Sequence, residues 1–279
     1  MDPTRIAFER QGSGRPLVLL HGLGDRRRSW SAVLPHLVRE HCVLCIDLPG
    51  FGRTPAPSAD EPYDVASMTD AVEAFCRFHG LERPHIAGNS LGGAIALELG
   101  VRGVAGSVTV FSPAGFSGGP GRWGLYAAGA FARAAARVPM PVKEKLAGTR
   151  PARSLARTLL RGAPSASRSE TVHFSVRGLQ EGSPFIRMIP RIAEYDFAAR
   201  PIDCPVTIAW GDRDRTLPPS GAGRAHRRVP TACMVSLIGS GHIPMADDPV
   251  TVARHIERTC RSADLRRGGN GRPTRAASL

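Results

Sequence analysis

A serine hydroxyl becomes a nucleophile near neutral pH only when a neutral imidazole takes its proton and a carboxylate holds that imidazole in the right tautomer. The chain, 279 residues long, offers such a set in Ser90, Asp214 and His242. Each lies in a Gly-containing segment: Gly88-Asn-Ser-Leu-Gly92, Gly211-Asp-Arg-Asp-Arg215 and Gly239-Ser-Gly-His-Ile-Pro244. Their chain order is the one expected when the nucleophile sits on a strand-to-helix elbow. Acyl chemistry also needs donors for a developing oxyanion. The backbone amides of Leu91, directly after the serine, and of Leu23, in the loop His21-Gly-Leu-Gly-Asp25, are the candidates.

Gly-x-Ser-x-Gly is a weak signal by itself, and it occurs twice, because Gly115-Phe-Ser-Gly-Gly119 also matches. Context separates the two. Ser90 ends an extended apolar segment that begins at Pro84 and runs into the helix-forming Ala94-Ile-Ala-Leu-Glu-Leu99. Ser117 is followed by Gly118, Gly119, Pro120 and Gly121, a composition that predicts no helix start.

The elements that must carry these loops follow from patterning. An edge strand is expected over Thr4 to Arg10, then a turn from Gln11 to Pro16 and a buried strand Leu17-Val-Leu-Leu20. Further strands are expected at Cys42–Ile46, Ser107–Phe111, Pro205–Trp210 and Cys233–Ile238, each apolar and, except for Ser107–Phe111, followed by a Gly-rich loop. Helices are expected over Ser29 to Val38, over Met68 to Phe78 with Ala71, Val72, Phe75 and Phe78 on one face, and from Asp248-Pro249 to about Cys260. Alternating strands and helices predict a parallel sheet covered on both faces, with ligands at the carboxyl ends of the strands.

Between about Ala114 and Ala199 this rhythm gives way to Ala/Arg-rich helical stretches. Residues 1–113 and 200–260 are therefore read as one α/β core, 114–199 as an inserted helical cap, and 261–279 as a basic disordered tail. Of the cap's large apolar residues, Trp123, Tyr126, Phe131, Phe174, Phe185, Met188 and Ile189, most are expected to pack on the core and a few to face a substrate.

Composition excludes several classes. With 42% hydrophobic and 22% charged residues the chain is an ordinary globular protein. No run reaches the length needed to span a bilayer and no secretory signal opens the chain, so a cytoplasmic location is expected. The net charge of +13 comes almost wholly from arginine, since only Lys143 and Lys145 are lysine. The arginines are scattered and not interleaved with aromatics, which argues against nucleic acid as a partner. Six widely spaced cysteines predict reduced core thiols rather than disulfides, and Cys42 and Cys45 fall inside a strand rather than at the helix start a redox pair would need.

His21-Gly22, Asp47-Leu-Pro-Gly-Phe-Gly52, Gly88-Asn-Ser-Leu-Gly92, Gly211-Asp-Arg-Asp214 and Gly239-Ser-Gly-His242 together resemble, in order and spacing, the α/β-hydrolase fold family over roughly residues 5 to 260. That resemblance implies an eight-stranded, mostly parallel sheet with a cap inserted after the sixth strand, and Ser90, Asp214 and His242 as a catalytic triad. It implies neither metal nor organic cofactor. It makes His21 a loop-shaping residue and favours Asp214 over Asp212 as the acid. Asp247 stands where relatives usually carry Glu, a departure confined to loop anchoring. Serine at the elbow argues against dehalogenase and epoxide hydrolase chemistry, which use Asp there. Carbon–carbon bond hydrolases of the family usually carry Trp after the catalytic histidine, where this chain has Ile243.

The expected function is therefore a serine hydrolase cleaving a small apolar ester, thioester or lactone through an acyl-enzyme on Ser90. Carbon–carbon bond hydrolysis, biosynthetic acyl transfer or cyclisation, and a non-catalytic ligand-binding role on the same fold are the alternatives.

Overall fold

The structure is a computed structural model that describes residues 2–147, 149–151, 154, 180 and 182–269. After a 3-10 turn at Pro3–Arg5 the chain forms β1 (Phe8–Gln11), β2 (Arg15–Leu20), a second 3-10 turn at Arg27–Trp30, α1 (Leu34–Leu37), β3 (His41–Ile46), α2 (Val65–Phe78), β4 (His85–Asn89), α3 (Leu91–Val101) and β5 (Ser107–Phe111). Then come α4 (Gly118–Ala136), α5 (Met140–Ala147), α6 (Pro184–Glu194), β6 (Val206–Gly211), α7 (Ser220–Arg228), β7 (Cys233–Leu237), α8 (Pro244–Asp247) and α9 (Pro249–Gly269).

The strands make one sheet in the order β1-β3-β2-β4-β5-β6-β7. Among the described residues only the β1–β3 pairing is antiparallel; the others are parallel. Among the described residues the sheet has seven strands rather than eight, and the helical insertion follows the fifth. Ahead of β1 the chain is drawn into the 3-10 turn, where Pro3 has no N–H to donate and Asp2 Oδ1 accepts the Thr4 N–H at 2.9 Å.

Side chains alternate across the sheet with the period of two that strand geometry dictates. Val18, Leu20, Leu44, Ile46, Ile86, Val108, Val110, Ile208 and Trp210 face α2 and α3, in a core shared with Met68, Val72, Phe75, Ile95 and Leu99. Leu17, Leu19, Val43, Cys45, Ala87, Phe111 and Ala209 face the opposite layer, which holds Trp30, Leu37, Val252 and Ile256. From Leu91 to Gly100 every residue of α3 is buried, as an all-round apolar helix must be.

Several elements differ from expectation, each for a local reason. The helix expected over Ser29 to Val38 is split, because Pro35 cannot donate the hydrogen bond that would join the Arg27–Trp30 turn to α1. In α2, Met68, Ala71, Val72 and Phe75 are buried, whereas Phe78 is 57% exposed; the rings of Phe8 and His79 occupy the space beside Phe75. Ile238 likewise lies beyond β7 and is exposed. A helix, α4, does start in the Gly118–Gly121 stretch. Pro120 falls in its first turn, where an N–H has no partner within the helix, and Arg224 holds the Phe116 and Ser117 carbonyl oxygens just ahead of it, at 2.5 and 2.9 Å.

The cap aromatics divide. Met188 is fully buried, but Trp123 and Phe131 are each 74% exposed and Tyr126 is 37% exposed. Helix α4 meets α6 through Ala132 and Ala136 against Ile186, so its small residues face inward and its large ones outward. Phe185 and Ile189 are half-buried against the same cluster, and Phe174 lies outside the described residues.

Helix α9 continues past Cys260 to Gly269, so residues 261–269 are helical rather than disordered. Ala263 is buried there and Asp264 pairs with Arg15 on β2; the expectation for 270–279 lies outside the described residues. All six cysteines are free thiols, five of them buried, and Cys233 is exposed rather than in the core.

Candidate active site

Strand β2 has β3 on one side and β4 on the other, so the strand order reverses at its carboxyl end, where an open α/β sheet forms its ligand crevice. The register places Leu20 opposite both Ile46 and Gly88. The His21, Asp47 and Ser90 turns therefore emerge side by side.

Ser90 sits between β4 and α3 with φ 53° and ψ −112°, a left-handed conformation that costs a non-glycine residue of order 1–3 kcal/mol. The surroundings hold it there. Its N–H donates to the Phe111 carbonyl at 3.0 Å, and its own carbonyl accepts from the Ala94 and Ala114 amides at 3.0 Å each. The flanking glycines are steric requirements: a Cβ at Gly88 would lie 2.2 Å from the Gly92 carbonyl oxygen, and one at Gly92 would lie 2.4 Å from that of Leu20. Leu91 opens α3, where backbone N–H groups lack partners within the helix. Gly22 abuts the elbow, since a Cβ there would lie 3.4 Å from Ser90 Cβ, and Leu23 follows it.

His242 and Asp214 are brought together from the loops after β7 and β6, with Nδ1 and Oδ2 2.8 Å apart and both residues buried. The other carboxylate oxygen, Oδ1, accepts the amides of Thr216 and Leu217 at 2.8 Å each. Both oxygens are thus committed and the carboxylate cannot turn. Asp212 does different work: it accepts the Gly239 N–H at 2.8 Å on the surface. Asp247 accepts the Gly241 N–H at 2.8 Å, which places it as an anchor of the His242 loop.

Asn89 is a site residue that sequence reasoning missed. Its Nδ2 donates to the Phe111 carbonyl at 3.0 Å and to the His242 carbonyl at 2.9 Å, tying the histidine loop to the residue before Ser90. A polar side chain at the end of an apolar strand was the available signal; its partner, 153 positions away, was not.

His21 shapes the loop from within. Its Nδ1 donates to the Gly22 carbonyl at 2.7 Å and its Nε2 accepts the Leu48 N–H at 2.9 Å, which fixes one neutral tautomer. Burial drives its pKa down to about 4. Asp47, fully buried, accepts the Arg27 and Arg53 amides at 2.7 and 2.9 Å and pairs with the Arg27 guanidinium, joining the second loop to the first.

Helix α6 of the insertion meets this end of the sheet. A Cβ at Gly24 would lie 2.7 Å from the Phe185 ring, so α6 rests on the loop that carries Leu23. Where the chain leaves the core, Arg224 holds Phe116 and Ser117; where it returns, Arg228 pairs with Asp196 at 2.6 Å and donates to the Phe197 carbonyl. Glu98 on α3 adds a further anchor, accepting from the Tyr195 hydroxyl at 2.7 Å and from Arg200 at 2.6 Å.

A mostly parallel sheet with one antiparallel edge, a helical insertion after β5, and a strained serine, an aspartate and a histidine on the loops after β4, β6 and β7 are the features of an alpha/beta hydrolase. The alpha/beta hydrolase family model matches residues 17–255, and the chain belongs to that family. It is 28% identical over 277 residues to an uncharacterized protein of Mycobacterium tuberculosis, covering 91% of this chain and 77% of that one. Among solved structures of the same fold, a thermophilic esterase from Thermogutta terrifontis superposes with a TM-score of 0.67 at 22% identity, covering 92% of this chain and 93% of its own. An enol-lactonase from Burkholderia xenovorans LB400 gives 0.70 at 19% identity, covering 92% and 96%. Among the described residues no helix is long and apolar enough to cross a membrane.

Proposed function

We propose that the protein is a serine hydrolase that cleaves a small apolar ester, thioester or lactone through an acyl-enzyme on Ser90. The observation that carries this reading is the His242–Asp214 contact of 2.8 Å with both carboxylate oxygens engaged, on a loop that Asn89 ties to the elbow.

With Asp214 accepting from Nδ1–H, the lone pair of His242 is on Nε2, the atom that takes the Ser90 hydroxyl proton. Ser90 Oγ then attacks the acyl carbon, and the negative charge that collects on the carbonyl oxygen is met by the amides of Leu91 and Leu23. His242 returns its proton to the departing alkoxide or thiolate, leaving Ser90 acylated. A water activated by the same nitrogen attacks the acyl carbon and restores the hydroxyl. The apolar, half-buried side chains of Leu23 and Phe185 beside the elbow suit a hydrocarbon acyl group. Ile243, packed against the core rather than presenting an indole, favours esters and lactones over carbon–carbon cleavage.

The test is fluorophosphonate labelling of wild type and Ser90→Ala, together with turnover of esters of graded acyl length, lactones and vinylogous diketones. Labelling lost in Ser90→Ala together with ester or lactone turnover supports the reading. Exclusive turnover of the diketones moves the assignment to carbon–carbon hydrolysis, and absence of both labelling and turnover refutes it.

A further inference from the structure

At the opposite end of the sheet from Ser90, three side chains that ligate metals converge. His41 opens β3, His85 opens β4, and Cys260 lies on α9, which packs across this face. All three are buried, and one donor atom from each lies within 4.8 Å of the others. The two imidazole rings stand edge to face, with centroids 5.7 Å apart. Ser107, the first residue of β5, sits between the other two: its Oγ is 2.8 Å from His85 Nδ1 and 3.9 Å from Cys260 Sγ. His41 Nδ1 is buried with no hydrogen-bond partner, although the ring is only 5% exposed. A buried polar atom left so is costly.

We propose that His41, His85 and Cys260 bind a divalent transition-metal ion of the zinc type, its fourth position left to water, at a site remote from the catalytic loops. Two imidazole nitrogens and one thiolate are a donor set that suits Zn²⁺ or Co²⁺ and disfavours the hard ions Mg²⁺ and Ca²⁺. Around a tetrahedral Zn²⁺ the donors stand about 3.3–3.6 Å apart, as bonds of about 2.0–2.3 Å require. The observed donors, within 4.8 Å of one another, would draw together by about 1 Å to reach that size. The outer groups also fit. Asp264 Oδ1 is 3.5 Å from His85 Nε2, the position from which a carboxylate orients a histidine that ligates through Nδ1; Ser107 Oγ would then give up its 2.8 Å contact with that nitrogen to the metal. Arg15 pairs with that carboxylate. Binding expels the Cys260 thiol proton, so the thiolate offsets one of the ion's two charges, while Asp264 and Arg15 offset each other. Sequence order hides the cluster, because its members come from two strands and the last helix. Binding would pin α9 to the start of β3 and β4, at the edge farthest from the substrate crevice.

The full chain, purified and stripped of metal, is titrated with Co²⁺ while thiolate-to-cobalt charge-transfer absorption is followed, and the thermal midpoint is measured with and without Zn²⁺. The expected result is one equivalent bound, with the charge-transfer band lost in Cys260→Ser, affinity lowered at least 100-fold in His41→Asn, and both retained in Cys233→Ser, which removes the exposed thiol. The wild-type midpoint should rise by about 5 °C at a hundredfold excess of Zn²⁺ over Kd, with ester turnover unchanged. A band that survives Cys260→Ser, a band lost in Cys233→Ser, or wild type that binds less than a tenth of an equivalent overturns the assignment. Because the wild-type titration needs no variant to fold, and turnover on Ser90 is read separately, failure here leaves the hydrolase reading standing.

Discussion

Replacing Asp214 with Asn tests the site at its most informative atom. The two oxygens of Asp214 have separate tasks, one accepting the Thr216 and Leu217 amides and the other facing His242 Nδ1. An asparagine keeps its oxygen toward the two amides, because an NH2 group there would meet two donors. Its NH2 is then aimed at His242 Nδ1, which must become an acceptor. The ring proton moves to Nε2, the nitrogen required to receive the Ser90 proton. The fold is kept and the base is disabled, so kcat should fall by about 10⁴-fold, which is ~5.5 kcal/mol of transition-state stabilisation. Asp212→Asn is the internal control. Its oxygen still accepts the Gly239 N–H, and turnover should stay within about threefold of wild type, since surface changes of this kind are worth under about 0.5 kcal/mol. The assay is steady-state hydrolysis of a short-chain p-nitrophenyl ester, with thermal melting to show that both variants fold. Turnover of Asp214→Asn within tenfold of wild type, or an equal loss in Asp212→Asn, would refute the reasoning.

The strain at Ser90 predicts that Ser90→Gly is more stable than Ser90→Ala by about 1–2 kcal/mol, visible in urea unfolding, although both are inactive; equal stability would mean the turn is unstrained. Asn89→Ala removes the donor to the His242 carbonyl and leaves that buried oxygen unpaired, at a cost of about 1–3 kcal/mol. Its kcat should fall about 100-fold through misplacement of the imidazole while KM changes little, and a variant that loses stability but keeps kcat would make Asn89 purely structural. Burial holds the His21 pKa near 4 in the fold, against 6.5 as its ordinary value, so below pH 6.5 the unfolded chain takes up a proton that the native state refuses. The His21 contribution is complete above that pH and is lost progressively between pH 6.5 and 4, up to about 3 kcal/mol. Unfolding curves across this range should therefore be steeper in pH for wild type than for His21→Asn; parallel curves would count against a neutral buried His21.

Much of this arrangement is legible in the sequence because strand ends and loop chemistry are local. An apolar run such as Leu17–Leu20 followed by a Gly-rich loop can be placed at the carboxyl edge of a sheet without knowing its neighbours. The spacing of Asp214 after β6 and His242 after β7 then puts both on one rim, where they meet. What was not legible depends on partners distant in the chain. Gly118 can begin a helix because Arg224 secures the carbonyls ahead of it, and α9 extends past Cys260 because Asp264 finds Arg15 on another strand. The outward turn of Trp123 and Phe131 follows from the choice of the alanine face for packing, which composition alone leaves open. Asn89 belongs to the same class, since a residue next to a candidate nucleophile shows its role only when the opposite loop is in place.

Both ends of the helical insertion are held by arginines four residues apart on α7, Arg224 to the outgoing chain and Arg228 to the returning chain, with Glu98 on α3 as a second hold on the latter. Because Phe185 of α6 rests against Gly24, and Met188 and Ile192 lie in the main core, a change in α6 would reach the Leu23 loop as well as these two junctions.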